Sequence, residues 1–518
     1  MSESVDRPLH KILGGSVFVF LGMAINMLLG FASKIIIVRY LSREDYGLYS
    51  LGFTIASVCM IISLLGLQAG SSRQIAFYKG GGYNSKAKGV VYGSLLIALI
   101  SSISLSLILF LSTDFISATL FKSFDLSIIL KIFIISIPFL VLTQIIVQIY
   151  RGFGYFMPNF LFLDILYSAL FPILLLVVIA VNYALNGVVA AYSASAIITF
   201  TAIVIYALKR PPQDLKVEHG IPSNILWKET LSFSAPLFAI TIFYQINTWS
   251  DNLMLGYFMK PSDVGLYNAA LPIVYLLPMF LEAIRFFYVP VMSELYAQDK
   301  IEEIRRSFAV ISKWLFAFTT PVFLVMMFFP DTVLNILFGA GYDDASVALQ
   351  ILAAGFFIHT ILGPNGATLV ILGKTQFAMW ATLIGAIANV ILNYFMIPAL
   401  GINGAAIATL AALVLRNLLI SGRLYQRYKM QPFTIDYLKP AIMAGIVFTV
   451  IYFFVTTVLT PVPPWLLPIF FVVFLALYGG AVLLTKSFSK EDIMILLAIE
   501  KRVGIDLTVA KKILRRFL

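Results

Sequence analysis

Charge is what this sequence has least of. Asp, Glu, Lys and Arg make up 12% of its 518 residues, where an ordinary soluble domain carries roughly 25%. With 60% hydrophobic residues and a mean hydropathy of +0.96, the chain has too little polar surface to be wetted all round, so it must dissolve in lipid. Cysteine is also scarce: one residue, Cys59, excludes an intrachain disulfide and any cysteine-rich metal cluster. The three histidines, His10, His219 and His359, are scattered without metal-ligand spacing. There is no nucleophile elbow and no phosphate-binding glycine loop. The loops near 112–127 and 331–344 are too short to build the outer site of a membrane glycan polymerase or ligase. The sequence is therefore read as no enzyme, with no bound cofactor.

What is present is a series of long apolar runs. They fall near 12–38, 47–70, 89–112, 127–150, 158–181 and 187–208, then 231–258, 264–288, 308–330, 345–371, 376–397 and 403–422, and finally 440–459 and 464–485. About 20 residues cross a bilayer as a helix, and continuous rather than alternating runs exclude strands. The first run exceeds a signal-peptide core and is read as a retained helix. The expected fold is all-α and polytopic, with 14 transmembrane helices.

The basic residues test that count. Alternate loops hold 28 of the 36 Lys and Arg; the opposite loops hold four, Arg39, Arg43, Lys122 and Lys260. Cytoplasmic loops collect Lys and Arg, so both termini are placed in the cytoplasm, and the net charge of +11 needs no nucleic-acid partner. The tail from Ser487, with Ile493, Leu496, Leu497, Ile513, Leu514 and Phe517 between Lys and Arg pairs, suits an amphipathic helix on anionic headgroups.

The chain also resembles itself. Asp45-Tyr46-Gly47-Leu48-Tyr49 returns as Asp263-Val264-Gly265-Leu266-Tyr267, an offset of 218. Leu185-Asn186-Gly187 returns as Ile402-Asn403-Gly404 at 217, and Arg151-Gly152-Phe153-Gly154 is echoed by Leu372-Gly373-Lys374-Thr375 at 221. Three echoes in register with the helix count predict two homologous lobes. Six crossings return each lobe to the same orientation, so the repeats are parallel. The expected organisation is an N-terminal lobe at 1–208, a linker at 209–229, a C-terminal lobe at 230–424, two added helices within 425–485 and a basic tail at 486–518. Asp45 and Asp263 are expected to cap the helices that follow, and Gly187 and Gly404 to serve turns.

With 14 crossings, the doubled Asp-x-Gly-Leu-Tyr element and a linker containing Arg210-Pro211-Pro212, the chain resembles the polysaccharide-type flippases of the multidrug/oligosaccharidyl-lipid/polysaccharide exporter superfamily. Arg39 through Tyr49, followed by Gly66-Leu67-Gln68 and Arg73, carries the closest likeness, which extends over residues 10–485. The resemblance implies a lipid-linked oligosaccharide moved from the cytoplasmic to the outer leaflet of the cell membrane, beside glycosyltransferases or a polymerase of the same pathway. A cation-coupled drug antiporter of the same superfamily is the competing reading.

An ionisable side chain within lipid is costly unless it faces a cavity or a partner. Lys34 lies deep in the first helix in line with Asn26 and Gly30. Asp251 lies in the seventh, with Tyr244, Asn247 and Thr248 on its face. Glu282 and Arg285 lie three apart on the eighth. The resemblance places helices 1, 7 and 8 around a central cleft. Lys34 and Arg285, with Asn26 and Asn247, are the candidate substrate-binding residues, the two cations serving a pyrophosphate. Asp251 and Glu282 are the candidate ion-coupling residues, for H+ or Na+; Glu282 pairing with Arg285, or Asp251 with Lys34, is the purely structural alternative. Asp164 ranks second, His359 is read as a satisfied polar contact, and Arg416 as a cytoplasmic-end anchor. Gln144, Gln148, Asn365, Asn389 and Asn393 are expected to bond helices together.

Overall fold

A computed structural model of the chain describes residues 3–213, 225–433, 435–458 and 466–484, and all regular structure among them is helical. The basic tail and the middle of the mid-chain linker lie outside these residues. The chain divides into two compact units, Met1–Gly265 and Leu266–Leu518. Twelve helices among the described residues are long and apolar enough to cross a membrane.

In the first unit, α1 (Glu3–Tyr40), α2 (Arg43–Leu64), α3 (Leu67–Gly80), α4 (Asn84–Phe115) and α5 (Asp125–Gly152) follow in order. A π-helical stretch, Asn159–Tyr167, leads into α6 (Ser168–Ala180), and α7 (Leu185–Lys209) and α8 (Trp227–Phe258) complete the unit. Each expected run of this unit is matched by a helix, although α1 begins at Glu3 rather than near 12 and α2 ends at Leu64 rather than near 70. The stretch expected as a loop from 71 to 88 is helical as far as Gly80. The polar sequence Gln68–Gln74 stays helical because α3 packs between α4, α5 and α8.

Both copies of the Asp-x-Gly-Leu-Tyr element place their aspartate in the first turn of a helix, with different hydrogen-bond partners. Ser42 Oγ accepts the Asp45 amide at 3.1 Å and donates back to Asp45 Oδ2 at 2.7 Å. Asp263 Oδ2 accepts the Lys260 amide at 3.2 Å, at the start of α9 (Pro261–Val274). The aspartates sit inside the first turn and reach back, as the acidic member of a capping box does. The two copies also touch. A Cβ on Gly47 would lie 1.7 Å from the Pro261 carbonyl oxygen, and one on Gly265 would lie 2.2 Å from that of Arg43. Gly187 and Gly404 fall in the first turns of their helices rather than in the turns themselves.

In the second unit, α10 (Leu276–Ala297), α11 (Ile301–Phe328), α12 (Pro330–Phe338), α13 (Ser346–Ile361), α14 (Asn365–Ile371), α15 (Thr375–Leu400) and α16 (Ile402–Tyr428) precede α17 (Ile435–Val458) and α18 (Leu466–Leu484). Its core joins Leu281 and Tyr288 of α10 to Phe308 and Leu315 of α11 and Leu424 of α16. The last two helices meet through Phe448, Phe474 and Tyr478 and rest on Leu324 and Phe329.

Candidate functional site

Polar residues collect at defined places within each unit. On α1, Asn26, Gly30 and Lys34 are all exposed along the helix, as the spacing predicts. One turn before Asn26, Gly22 meets the π-helical stretch. A Cβ there would lie 2.5 Å from Asp164 Oδ2, an oxygen that also accepts the Asn159 amide at 2.8 Å. Asp164 is 8% exposed, so a carboxylate is buried against the helix that carries Lys34.

On α8, Tyr244 and Thr248 are exposed while Asp251 is 5% exposed. The side chain of Asn247 lies outside the described ones. Beside Asp251, Asn252 Nδ2 donates to Thr54 Oγ1 of α2 at 3.1 Å. Gln68 of α3 donates to Gln144 of α5, the helix-to-helix role expected of Gln144.

In the second unit, Arg285 NH1 contacts Glu282 Oε1 at 3.1 Å, with both side chains about half exposed. His359 Nδ1 lies 3.2 Å from Asn417 Oδ1 and 3.4 Å from Arg416 NH2. The guanidinium charges of Arg416 and Arg285 both act on the His359 ring. Asn365 Nδ2 donates to Asn417 Oδ1 at 3.1 Å and to Ser421 Oγ at 3.0 Å. Asn393 donates to Asn389 at 3.2 Å, and Asn389 to Thr409 at 3.4 Å. His359 is thus a satisfied polar contact. Arg416, expected at a helix end, sits in the middle of α16 within this network.

Sequence reasoning missed Arg73. Counted among loop cations, it belongs to α3, its guanidinium carbon 5.9 Å above the ring of Phe233 on α8. Close by, a cavity of about 240 Å³ lies between the α2–α3 junction and α8, lined by Leu64, Gly66, Gln68, Ala69, Phe238 and Thr241 among others. The signals available were its place in the motif that carries the family likeness and the run of polar residues after Gly66, which hydropathy reads as the end of a span. Among the described residues no group of three or more His, Cys, Asp or Glu is placed to hold a metal ion.

The family described as polysaccharide biosynthesis protein matches residues 12–296, more than half of the chain. The chain belongs to this family. A second family, MatE, matches residues 236–395. Among curated relatives, the probable low-salt glycan biosynthesis flippase Agl15 of Haloferax volcanii is 28% identical over 208 residues, 39% of this chain and 43% of that protein. An uncharacterized membrane protein of Methanocaldococcus jannaschii is 31% identical over 160 residues, 31% of this chain and 32% of that protein. The chain therefore aligns with less than half the length of either archaeal relative. The putative O-antigen transporter of Shigella flexneri is 22% identical over 80% of this chain and 98% of its own.

Two solved structures give the fold. The lipid II flippase MurJ, in an inward closed conformation, superposes with a TM-score of 0.72 at 19% identity, covering 89% of this chain and 97% of MurJ. An inward-facing multidrug resistance MATE transporter gives 0.63 at 16% identity, covering 80% and 98%. Among the described residues the architecture is the all-helical fold shared with MurJ and the MATE transporter, that of a multi-pass membrane protein.

Proposed function

We propose that this protein is an alternating-access flippase that carries a polyprenyl (pyro)phosphate-linked oligosaccharide from the cytoplasmic to the outer leaflet of the cell membrane. In this reading it has 14 crossings in two parallel six-helix lobes plus a final pair, with both termini in the cytoplasm, and it takes substrate from glycosyltransferases of the same pathway. The observation that carries the proposal is family membership combined with ionisable side chains kept within apolar helices. Lys34 on α1 is exposed, and so is the Glu282–Arg285 pair on α10. Charges so placed are tolerated where water or a charged ligand meets them.

Lys34 and Arg285 are assigned to the substrate's phosphates: the guanidinium offers a forked contact and the ammonium a point charge. Asn26 and Asn247 are assigned to its polar groups. A phosphate that engages Arg285 competes with Glu282, and the released carboxylate is then free to take a proton. Glu282, with Asp251, is accordingly assigned to coupling by H+ or Na+. The match to MatE over residues 236–395 supports a second reading, a cation-coupled drug antiporter.

Proteoliposomes separate the two. The flippase reading expects a labelled polyprenyl-pyrophosphoryl glycan to change leaflets. Expulsion of organic cations without glycan movement would reverse the order. Lys34→Ala and Arg285→Ala are each expected to lower flipping at least tenfold while the protein still inserts and elutes as a single species. Wild-type flipping by both variants would remove the binding-site assignment.

A further inference from the structure

The cavity at the α2–α3 junction has features that fit one class of ligand. It exists because two helices lose regularity side by side. Leu65 and Gly66 take left-handed backbone angles, φ 46° and 74°, which end α2 and restart α3. Opposite them, Pro236 lies inside α8 and removes an amide from its ladder. Two of the polar groups at this space are engaged within the protein. Gln68 donates to Gln144, and Thr241 Oγ1 donates to the Leu237 carbonyl at 3.0 Å. The wall a guest meets is more apolar than polar.

The cation stands one helical turn away. Arg73 follows Ala69 by four residues and Phe233 precedes Leu237 by four, so the Arg73–Phe233 pair lies one helical turn from two residues that line the cavity. Arg73 is exposed. A cation–π contact of this kind uses none of the guanidinium's N–H donors as hydrogen bonds to a polar partner, and a guanidinium can grip a phosphate in a fork. Farther along, Lys86 lies over Tyr83 and Lys228 over Trp227, a pairing of rings and lysines typical of a headgroup region. The acid nearby, Glu229, is one turn from Phe233 and accepts from Tyr78 OH at 3.3 Å.

We propose that this cavity holds the phosphate-proximal isoprene units of a polyprenyl phosphate while Arg73 holds its phosphate. The identity of the lipid rests on the flippase reading above. Size agrees: a cavity of roughly 150 Å³ accommodates benzene, so 240 Å³ takes about two five-carbon units.

The test uses the full-length protein in detergent and three probes: farnesyl phosphate, farnesol and inorganic pyrophosphate. Farnesyl phosphate is expected to bind at least tenfold tighter than farnesol. In a protein already carrying Lys34→Ala and Arg285→Ala, so that the phosphate site proposed above is removed, Arg73→Ala is expected to abolish that preference. Ala69→Trp, which fills the cavity, is expected to weaken farnesyl phosphate at least tenfold and leave pyrophosphate unchanged. Unaltered farnesyl phosphate binding in Ala69→Trp, or a phosphate preference that survives Arg73→Ala in that background, overturns the proposal. Should Ala69→Trp not fold, a diazirine-bearing farnesyl phosphate on the wild-type protein decides the matter. Cross-links within 61–73 or 233–241 support the site, and cross-links confined to other segments overturn it. Failure of these binding tests in a protein that flips the glycan normally sinks this inference alone. A protein that passes the binding tests but moves no lipid-linked glycan sinks the transport reading instead.

Discussion

At the scale of single residues, the tightest constraint is where the two Asp-x-Gly-Leu-Tyr copies touch. Gly47 sits where a Cβ would fall 1.7 Å from the Pro261 carbonyl, a distance no real contact adopts, and both partners are backbone or its neighbours in a capped helix start. Gly47→Ala must therefore push α2 away from Pro261. Overpacking of this kind costs about 1–3 kcal/mol or more, and the expected outcome is a lower thermal midpoint in detergent. Gly422→Ala is the control: nothing lies within 4 Å of its added Cβ, and replacing a helical glycine by alanine gains up to about 1 kcal/mol. A Gly47→Ala protein as stable as the control would show that the contact is looser than the structure has it. The pairing of Glu282 with Arg285 belongs to the same scale. The pair is half exposed, worth a few tenths of a kcal/mol on an exposed helix face, and so weak enough for a phosphate to displace.

At the scale of helices, hydropathy located most elements because each span must satisfy its backbone internally and be apolar over a fixed length. It failed where a helix is polar for reasons of packing. The α3 segment reads as loop, yet the backbone stays helical to Gly80 because the neighbours supply what its sequence lacks. Ser71 Oγ lies 2.7 Å from Ser94 Oγ of α4, and Gly70 admits Ser234 of α8. Arg73 was hidden by the same error, since an arginine after the end of an apolar run is ordinarily a flanking charge. Arg416 was misplaced by the converse error. It lies mid-helix, where the polar Asn417 and His359 surround it, and a linear sequence does not bring residues 57 apart together. The face of α1 carrying Asn26 and Lys34 was legible, because helical periodicity alone fixes it. The α2–α3 break makes its own prediction. Gly66 has φ 74°, with Ser234 O 2.4 Å from a would-be Cβ. Gly66→Ala adds left-handed strain of about 1–2 kcal/mol to that clash. It is expected to lower the thermal midpoint and also to weaken farnesyl phosphate, because the cavity wall moves; a fall in stability with unchanged binding would detach the cavity from the break.

At the scale of the whole chain, orientation follows from charge and parity, and both are open to direct measurement. The α4 helix is 32 residues long, about 48 Å at 1.5 Å per residue, more than a hydrocarbon core of about 30 Å. Its two ends must therefore reach opposite sides. Lys86 is near one end, among the many basic residues, and Lys122 follows the other; both are exposed. In the second half, Arg306 is exposed in the second turn of α11, a helix of 28 residues, and Asp343 is exposed beyond α12, which follows it. Because Cys59 is buried at 8% exposure, a Cys59→Ser background leaves single introduced cysteines as the sole thiols. A membrane-impermeant maleimide on intact cells is expected to label Lys122→Cys and Asp343→Cys, and to reach Lys86→Cys and Arg306→Cys only after permeabilisation. The second pair carries the greater weight. The proposed two lobes of six crossings each would repeat the same sidedness, whereas an odd number per half would exchange Arg306 with Asp343 while leaving the first pair untouched. That exchanged pattern would refute the parallel repeat, and with it the assignment of Lys34 and Arg285 to one substrate.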